Sequence, residues 1–519
     1  MNFCRNIIVI LIFLVLSSTA IAGWQEDIDK LLAETDSVAQ NKLIIKIVKA
    51  KPDWHNVVSY LENITFPSVE QTGLILRTTT CIDDVERPWV IYVPRDYEPS
   101  NSNPLFVYLH GGVSRSDIYD DPLRYAQESL FYKMAEKHGW FIIYPMGQAG
   151  ATWWDEVGMA NIANLVRTVK SEFNINDDRV WLGGFSDGAS AAFLHAMVAP
   201  SDYGAFIALN GHMGVGSEDG DLPTFAPNFY NTPVYATTTD KDQLYPSNTM
   251  RATIDMAHKA GGEIFYRELA GQHNIDDIAS EISLISRFLD RHPRNPFPNR
   301  IIWETAEKKY GQCRWFAVDE VTINRPEPWH LDYNVALTDY GITIGFMPAD
   351  YEDSVGVKVD RLADGDYLAH RIGLQAGDVI IQSGDMAIKT LKDLSQYKAG
   401  LKRGDYVELV VKRNDKKVTL KGQIPEPENY NLFFRKKPSA LVKVGFASNR
   451  IDIDASRVGA FRILIHPDMV HLDQNLVVRV NGDVIHNEKI SPDLNFILNN
   501  FIKNRDRRLI YVAELRIKI

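Results

Sequence analysis

Short continuous apolar runs recur along residues 73–293, and segments with apolar positions at helical spacing separate them. Such runs are typical of strands that are buried on both faces. They predict strands at 73–76, 88–94, 104–109, 140–145, 180–182, 206–209, 232–238 and 263–267. The intervening segments predict helices at 123–137, 159–173, 189–198, 248–260 and 275–290. Strands that alternate with helices predict an α/β fold with a doubly wound, mostly parallel sheet.

The chain on either side of this unit has a different pattern. Residues 23–72 carry apolar positions at helical spacing, which predicts an N-terminal helical segment whose apolar side packs against the rest of the protein. The Pro-rich run His292–Pro298 predicts a linker, so we place a domain boundary between residues 293 and 299.

Residues 425–519 are mostly β in pattern, with a hairpin turn at Asn481-Gly482 and one helix near 494–502. The strands are too few for a complete sandwich. We therefore predict that strands within 299–332 complete a β-sandwich-like domain with residues 425–519. On this hypothesis the segment 333–424 is inserted between the two parts.

The first 22 residues have the three parts of a signal peptide. One positive charge at Arg5 precedes the apolar run Ile7–Leu16, and Ala20-Ile21-Ala22 is a small-residue cleavage site. We predict cleavage before Gly23 and export to the periplasm or the medium, with no membrane association afterwards. An uncleaved signal anchor is the alternative.

Composition and charge are those of an ordinary globular protein, with 45% hydrophobic and 24% charged residues. The formal net charge of −11 does not suggest nucleic acid as a partner. After signal cleavage two cysteines remain, Cys81 and Cys313, in different predicted domains, so free buried thiols are favoured over a disulfide. No Cys or His spacing typical of metal ligands occurs, and we predict no metal or cofactor.

The stretch Gly184-Phe-Ser-Asp-Gly188 lies between a predicted strand and a predicted helix. In this position Gly-x-Ser-x-Gly is the nucleophile elbow, a sharp turn that exposes the serine hydroxyl at the top of a sheet. The glycines let the strand and helix backbones pass closely. Ser186 is therefore the candidate nucleophile, and the N–H of Asp187 opens the helix toward a developing oxyanion.

Three further groups follow predicted strands and should meet Ser186 at the same sheet edge. Asp242 follows the strand at 232–238, and His273 follows the strand at 263–267. The order Ser, Asp, His is that of α/β hydrolases, in which the histidine is the general base and the aspartate orients it. Gly112 supplies the second oxyanion donor, with Gly111 and Val113 as alternatives.

Other residues compete for two of these roles. Asp240 is an alternative to Asp242, which is favoured by its spacing to the turn residue Pro246. His195 and His212 are alternatives to His273. We expect His195 to point into the sheet, and His212 precedes the strand that delivers the acid.

Residues 78–291 resemble secreted carboxylesterases of the polyhydroxybutyrate depolymerase and feruloyl esterase type. The stretches that carry the resemblance are Pro104–Gly112, Asp178–Ala189, Asp240–Asp242 and Gly271–His273. The resemblance implies ester hydrolysis through an acyl-enzyme. It also suggests that Trp153 and Trp154 line the substrate side, with core packing as the alternative.

Residues 333–424 resemble a PDZ domain, because Gly373-Leu-Gln-Ala-Gly-Asp-Val-Ile-Ile381 forms the turn that feeds a buried strand in that family. The resemblance implies binding of a peptide or protein C terminus by strand addition. The matching carboxylate-binding loop would be Tyr340, Gly341 and Ile342. A role as an internal spacer is the alternative.

These observations together predict an exported serine esterase that carries a PDZ domain and acts on an ester substrate. A serine peptidase of the same fold is one alternative, since the same triad cleaves amides. A peptide-binding scaffold with an inactive hydrolase domain is another.

Overall fold

A computed structural model describes residues 23–114, 121–242, 244–323, 329–349, 356–363 and 365–519. The predicted signal peptide at 1–22 lies outside the described residues. Among the residues that are described, no helix is long and apolar enough to cross a membrane.

Three helices begin the described chain. They are α1 at 23–33, α2 (Ser37–Ala50) and α3 (Trp54–Glu62). The side chains of Asp36 and Asp53 cap α2 and α3 by accepting backbone N–H groups. The buried faces of the three helices join the hydrophobic core of the C-terminal β region. These helices thus pack on a region that is distant from them along the chain.

The central unit contains one sheet of eight strands. Its strands are β1 (Gly73–Thr80), β2 (Glu86–Val93), β3 (Asn103–Leu109), β4 (Phe141–Pro145), β5 (Ile175–Phe185), β6 (Ala205–Leu209), β7 (Val234–Thr239) and β8 (Ile264–Leu269). The spatial order is β1-β2-β4-β3-β5-β6-β7-β8. β1 and β2 are antiparallel to their neighbours, and β3 to β8 are parallel. The prediction of a mostly parallel α/β sheet is confirmed.

Helices cover both faces of this sheet. They are α4 (Pro122–Glu128), α5 (Leu130–His138), α6 (Glu156–Glu172), α7 (Asp187–Val198), α8 (Val215–Glu218), α9 (Ser247–Lys259) and α10 (Ile278–Arg291). The single helix predicted at 123–137 is two helices. Ser129 has extended backbone angles and its hydroxyl accepts the N–H of Phe131, so it ends α4 and caps α5.

Beyond residue 299 the chain is mainly β. The strands are β9 (Arg300–Thr305), β10 (Gln312–Cys313), β11 (Phe316–Val321), β12 (Val335–Asp339), β13 (Phe346–Pro348), β14 (Val357–Leu362), β15 (Val379–Ser383), β16 (Met386–Ala387), β17 (Tyr406–Arg413), β18 (Lys416–Gln423), β19 (Glu428–Leu432), β20 (Ala440–Ala447), β21 (Arg450–Ser456), β22 (Val458–Ile465), β23 (Leu476–Val480), β24 (Asp483–Glu488) and β25 (Ala513–Lys518). The helices are α11 (Leu368–Ile372), α12 (Leu391–Lys398) and α13 (Leu494–Asn504).

Strands from before and after the PDZ-like segment share two sheets. β9 pairs with β20 at the edge of a sheet ordered β24-β23-β21-β20-β9, and β11 pairs with β22 in a sheet ordered β10-β11-β22-β25. The chain therefore leaves these sheets after β11 and re-enters them at β20. Between those points lie a six-stranded sheet, β13 to β18, and a two-stranded sheet of β12 and β19.

A buried ion cluster joins the hydrolase-like unit to the C-terminal region. Lys170 Nζ lies 3.0 Å from Asp177 and 2.8 Å from Asp506. Arg294 contacts Asp506 at 2.7 Å and Asp178 at 2.9 Å. Burial alone would raise the pKa of Asp506, but Arg294 and Lys170 hold that pKa below its ordinary value. The pKa values of Lys170 and Arg294 are raised by these carboxylates, so Lys170, Arg294 and Asp506 are charged near neutral pH.

Replacing Asp506 with asparagine should destabilise the protein by about 3–5 kcal/mol, because two buried cations lose their shared counter-charge. Urea unfolding followed by tryptophan fluorescence measures this. The matched control is Glu26→Gln, which breaks the exposed Lys30–Glu26 pair and should not shift the transition measurably. Equal shifts for the two variants would contradict a structural role for the buried cluster.

Candidate active site

The turn between β5 and α7 places Ser186 on strained backbone. Ser186 has φ 58° and ψ −119°, which few non-glycine residues adopt. A Cβ at Gly184 or Gly188 would lie 2.2 Å or 2.0 Å from the carbonyl oxygen of Leu109. Both positions therefore require glycine, because β3 passes directly beneath the turn. This packing exposes the serine side chain at the carboxyl end of the sheet.

The hydroxyl of Ser186 is part of a continuous chain of hydrogen bonds. Its Oγ lies 2.9 Å from His273 Nε2, and His273 Nδ1 lies 2.9 Å from Asp242 Oδ2. Since the carboxylate can only accept, Nδ1 carries the ring proton and Nε2 of the neutral imidazole can accept from Ser186. Asp242 is buried, and its other oxygen accepts the N–H groups of Leu244 at 2.9 Å and Tyr245 at 3.1 Å.

The three competing residues lie in other environments. Asp240 Oδ1 accepts the N–H of Gly271 at 3.0 Å, so it shapes the loop before His273 and does not contact the imidazole. His195 is buried within α7, and burial lowers its pKa to about 4. His212 Nε2 lies 2.9 Å from the hydroxyl of Tyr430. The structure therefore brings Asp242 and His273, and none of these three, to Ser186.

The loop after β3 lies against the nucleophile. A Cβ at Gly111 would come within 2.8 Å of Ser186 Cβ, and Gly112 has φ +72°. Val113 donates its N–H to Asp187 Oδ2 at 2.9 Å, so this alternative oxyanion donor is already engaged. The backbone N–H groups of Gly111 and Gly112 remain as the candidate oxyanion donors in this loop.

His110 holds this loop through both ring nitrogens. Its Nε2 accepts the N–H of Gly147 at 2.9 Å, so the ring proton lies on Nδ1 and is donated to the Gly111 carbonyl at 2.8 Å. The sequence alone assigned no role to His110. The structure shows that its imidazole orients the peptide group beside the nucleophile.

Trp153 and Trp154 lie in the hydrophobic core and not on the substrate side. Both are buried, and the Trp153 indole N–H donates to the carbonyl of His110 at 2.8 Å. The Trp153 ring fills the space above Gly147, where a Cβ would lie 2.6 Å from it. The expected substrate contact is therefore wrong. The tryptophan instead ties the segment after β4 to the end of β3.

Two residues that sequence analysis did not single out support His273. Asn210 Nδ2 donates to the His273 carbonyl at 2.8 Å, and its φ is +52°. The Phe185 ring lies 4.9 Å from the imidazole ring. Asn210 directly follows the predicted strand at 206–209, and Phe185 lies within the Gly-x-Ser-x-Gly motif. These positions are the sequence signals that could have identified the two residues.

A cavity of about 390 Å³ is lined in part by sequence neighbours of the triad residues. They are Phe185, which precedes Ser186, and Asn274 and Ile275, which follow His273. Its lining is mostly aromatic and aliphatic: Tyr108, Tyr125, Phe131, Phe185, Leu209, Ile275 and Ile278, with Glu128, Ser129, Leu130 and Asn274 completing it. Such a lining can accommodate an apolar group that is attached to a carbonyl at Ser186.

The proposed carboxylate loop of the PDZ-like segment lies between β12 and β13. Tyr340 is exposed and Ile342 is buried in the core of the β13–β18 sheet. Gly341 lies between them. In the part of the chain that the structure describes, β13 pairs only with β14, and α12 belongs to the same unit. The loop is thus close in sequence to an edge strand, as strand addition requires.

Comparison with known proteins identifies two families. Residues 128–292 match the Phospholipase/Carboxylesterase family, and residues 343–424 match the PDZ domain family. The first match covers the elbow, Asp242 and His273. The chain therefore contains a carboxylesterase-type hydrolase domain and a PDZ domain, which confirms both resemblances.

Curated relatives share only part of the chain. A bifunctional acetylxylan esterase/xylanase from Neocallimastix patriciarum is 32% identical over 111 residues, which are 21% of this chain and 15% of that protein. A probable acetylxylan esterase A from Aspergillus clavatus is 29% identical over 166 residues, 30% of this chain and 51% of that protein. The chain thus spans at most about half the length of these relatives.

Among solved structures, a fluorophosphonate-binding serine hydrolase from Staphylococcus aureus is similar to 43% of this chain and 98% of its own, with 14% identity and a TM-score of 0.34. A ferulic acid esterase aligns with 43% of this chain and 98% of its own, with 12% identity and a TM-score of 0.36.

Proposed function

We propose that this protein is a serine esterase that hydrolyses carboxylic esters through an acyl-enzyme. The observation that carries the proposal is the hydrogen-bonded line from Ser186 through His273 to the buried Asp242, with 2.9 Å at each step. It lies in a domain of the carboxylesterase type. The strained elbow and the glycine loop beside it supply the remaining parts of such a site.

In the first half-reaction Ser186 Oγ attacks the ester carbonyl carbon while its proton moves to His273 Nε2. The carbonyl electron pair moves onto oxygen, and the N–H groups of Asp187 and Gly112 or Gly111 stabilise the resulting oxyanion. When this intermediate collapses, the bond to the alcohol oxygen breaks and His273 protonates the leaving group. Asp242 stabilises the transient imidazolium.

In the second half-reaction a water molecule replaces the alcohol. His273 accepts a proton from the water as its oxygen attacks the acyl carbon. Collapse then breaks the bond to Ser186 Oγ, which recovers its proton from His273, and the carboxylic acid leaves.

The cavity beside the triad favours esters with an apolar group attached to the reacting carbonyl or its alcohol. Its aromatic and aliphatic lining offers contact area to a ring or a short alkyl chain. The acetyl group named in the relatives is smaller than this cavity. We therefore expect turnover of acetyl esters and better binding of bulkier apolar ones.

Replacing Ile278 with tryptophan should raise KM for butyrate or cinnamate aryl esters about tenfold, while acetate esters change less than about twofold. Ile278 lies at the cavity wall and is only partly buried, so the larger ring can enter the cavity without disturbing the core. Steady-state kinetics on an acyl series measures this effect.

The control is Ala279→Trp, one residue along α10 at an exposed position, which should leave the acyl series unchanged. A parallel loss for acetate and cinnamate would mean that the cavity does not hold the distinguishing part of the substrate.

The experiment that tests the proposed function compares p-nitrophenyl acetate and butyrate with a casein digest. We expect ester turnover and no casein cleavage. Casein cleavage would support a serine peptidase. A folded protein without turnover of either would support a peptide-binding scaffold with an inactive hydrolase domain.

We further propose that the protein is exported and that its PDZ domain binds peptide or protein C termini. The apolar run Ile7–Leu16 followed by Ala20-Ile21-Ala22 supports export. The edge strand β13 beside the loop Tyr340–Ile342 supports strand addition. Use of the domain as a spacer is the alternative.

A further inference from the structure

The two strands that bracket the PDZ domain form a separate antiparallel ribbon, β12 with β19. Val335 pairs with Leu432 and Leu337 pairs with Tyr430. These four side chains share one face, since alternate residues of a strand lie on the same side. Leu337 and Leu432 are buried in the core of the hydrolase domain. The ribbon is therefore packed on that domain and is not a free linker.

The ribbon lies next to the segment that follows β6. A Cβ at Gly214 would lie 3.1 Å from Leu432 Cδ1. Farther along, Lys436 Nζ donates to the Ser217 carbonyl at 3.2 Å. This segment carries His212, so the ribbon is in direct contact with the part of the hydrolase domain that holds His212.

Tyr430 bonds to His212 in a way that defines the imidazole tautomer. The Nδ1 atom of His212 accepts the N–H of Gly214 at 3.0 Å, so the proton of the neutral ring lies on Nε2. That Nε2 lies 2.9 Å from the Tyr430 hydroxyl oxygen and donates to it. Both nitrogens are thereby engaged, which fixes the plane of the ring.

The His212 ring supports Tyr245. The two rings are 6.0 Å apart and nearly parallel, at 25°. The Tyr245 ring also packs edge-on to the imidazole of His273, with centroids 5.8 Å apart. Tyr245 also donates its backbone N–H to Asp242. One tyrosine therefore contacts both the base and the acid of the proposed triad.

The hydroxyl of Tyr245 reaches the oxyanion loop through Asp187. It donates to Asp187 Oδ1 at 3.3 Å, and Asp187 Oδ2 accepts the N–H of Val113 at 2.9 Å. Burial raises the pKa of Tyr245, so its hydroxyl remains a donor. Tyr245 thus connects His212 to the base, the acid and the oxyanion loop.

We propose that Tyr430, which lies outside the matched carboxylesterase segment, is a positioning residue for the catalytic centre. It acts through His212 and Tyr245, which hold His273 and the loop of Gly111 to Val113 in reactive geometry. This inference rests on the proposed esterase function. It makes the ribbon, and not the hydrolase domain alone, a requirement for full turnover.

The test is Tyr430→Phe in the full chain, assayed with p-nitrophenyl butyrate and with a fluorophosphonate. Loss of one partly buried hydrogen-bond partner should lower kcat about threefold to tenfold, with KM within about twofold of wild type. The fluorophosphonate labelling rate should fall by the same factor, because it reports the reactivity of Ser186. A role in packing alone would leave the rate of the folded fraction unchanged.

Two further variants test whether Tyr430 acts through His212. In a His212→Phe background, which keeps a ring beside Tyr245 but offers no hydrogen bond, Tyr430→Phe should cause no additional loss, since its partner is already gone. The matched control Tyr333→Phe, on a residue that packs against the same core just before β12, should keep wild-type kcat.

Three results would overturn the inference: an unchanged kcat in Tyr430→Phe, an equal loss in Tyr333→Phe, or multiplying losses in the double variant. Each presupposes active wild-type enzyme. Inactive but folded wild type would instead contradict the proposed function, so the two failures are distinguishable.

Discussion

Turnover of p-nitrophenyl butyrate should fall at least about 10,000-fold when Ser186 is replaced with alanine, because no acyl-enzyme can form. The substitution removes one oxygen from a partly buried turn, and alanine can occupy the backbone conformation about as well as serine. The loss should therefore appear in kcat while the thermal unfolding midpoint stays near that of wild type.

Ser190→Ala serves as the matched control. Ser190 lies one turn along α7, and its hydroxyl accepts the N–H of His212 at 2.9 Å and donates to the Ser186 carbonyl at 3.3 Å. We expect a loss there that is at least about 100-fold smaller than in Ser186→Ala. Comparable losses in both variants, or residual turnover in Ser186→Ala within about tenfold of wild type, would contradict nucleophilic catalysis by Ser186.

The second large effect is expected for Asp242→Asn, with kcat lowered about 1,000- to 10,000-fold. The amide preserves the size of the side chain. However, its Nδ2 group would donate where the carboxylate accepts, so the imidazole proton would move to Nε2. His273 could then no longer accept the proton of Ser186.

Asp240→Asn is a close control because the two aspartates are two residues apart and have different partners. Asp240 accepts a hydrogen bond from the Gly271 N–H, and the amide oxygen of asparagine can accept the same bond. We expect a loss of less than about tenfold for this variant. Steady-state kinetics of the two variants decides which aspartate is the triad acid. A larger loss of kcat in Asp240→Asn than in Asp242→Asn would reverse the assignment.

The arrangement of the sheet was predictable because it follows from local patterns. Continuous apolar runs mark buried strands, and Gly184 and Gly188 mark the turn between β5 and α7. Parallel strands place their carboxyl ends at one edge, so Ser186, Asp242 and His273 were expected to converge. The short distances between these three side chains depend on that same sheet topology.

Residues whose partners are distant in sequence could not be predicted. Trp153 follows a strand end, as a substrate-contacting residue would, yet the glycine at 147 leaves a space that its ring fills. The choice between Asp240 and Asp242 likewise depends on how the loop at 271–273 folds back. Sequence spacing alone does not encode that geometry.

The role of the ribbon was equally hidden from sequence. Tyr430 lies 218 positions from its partner His212, and the two strands of the ribbon are separated by the PDZ domain. Nothing in either strand indicates which surface it covers. The packing of Leu337 and Leu432 on the hydrolase domain shows which surface the ribbon covers.

The most direct test of the proposed function is mass spectrometry of the mature protein after reaction with a fluorophosphonate. We predict one adduct per chain, located on the tryptic peptide that contains Ser186, and no adduct in Ser186→Ala. Either of two results would contradict a serine hydrolase at this site: no labelling of the folded wild-type protein, or equal labelling of the wild-type protein and Ser186→Ala.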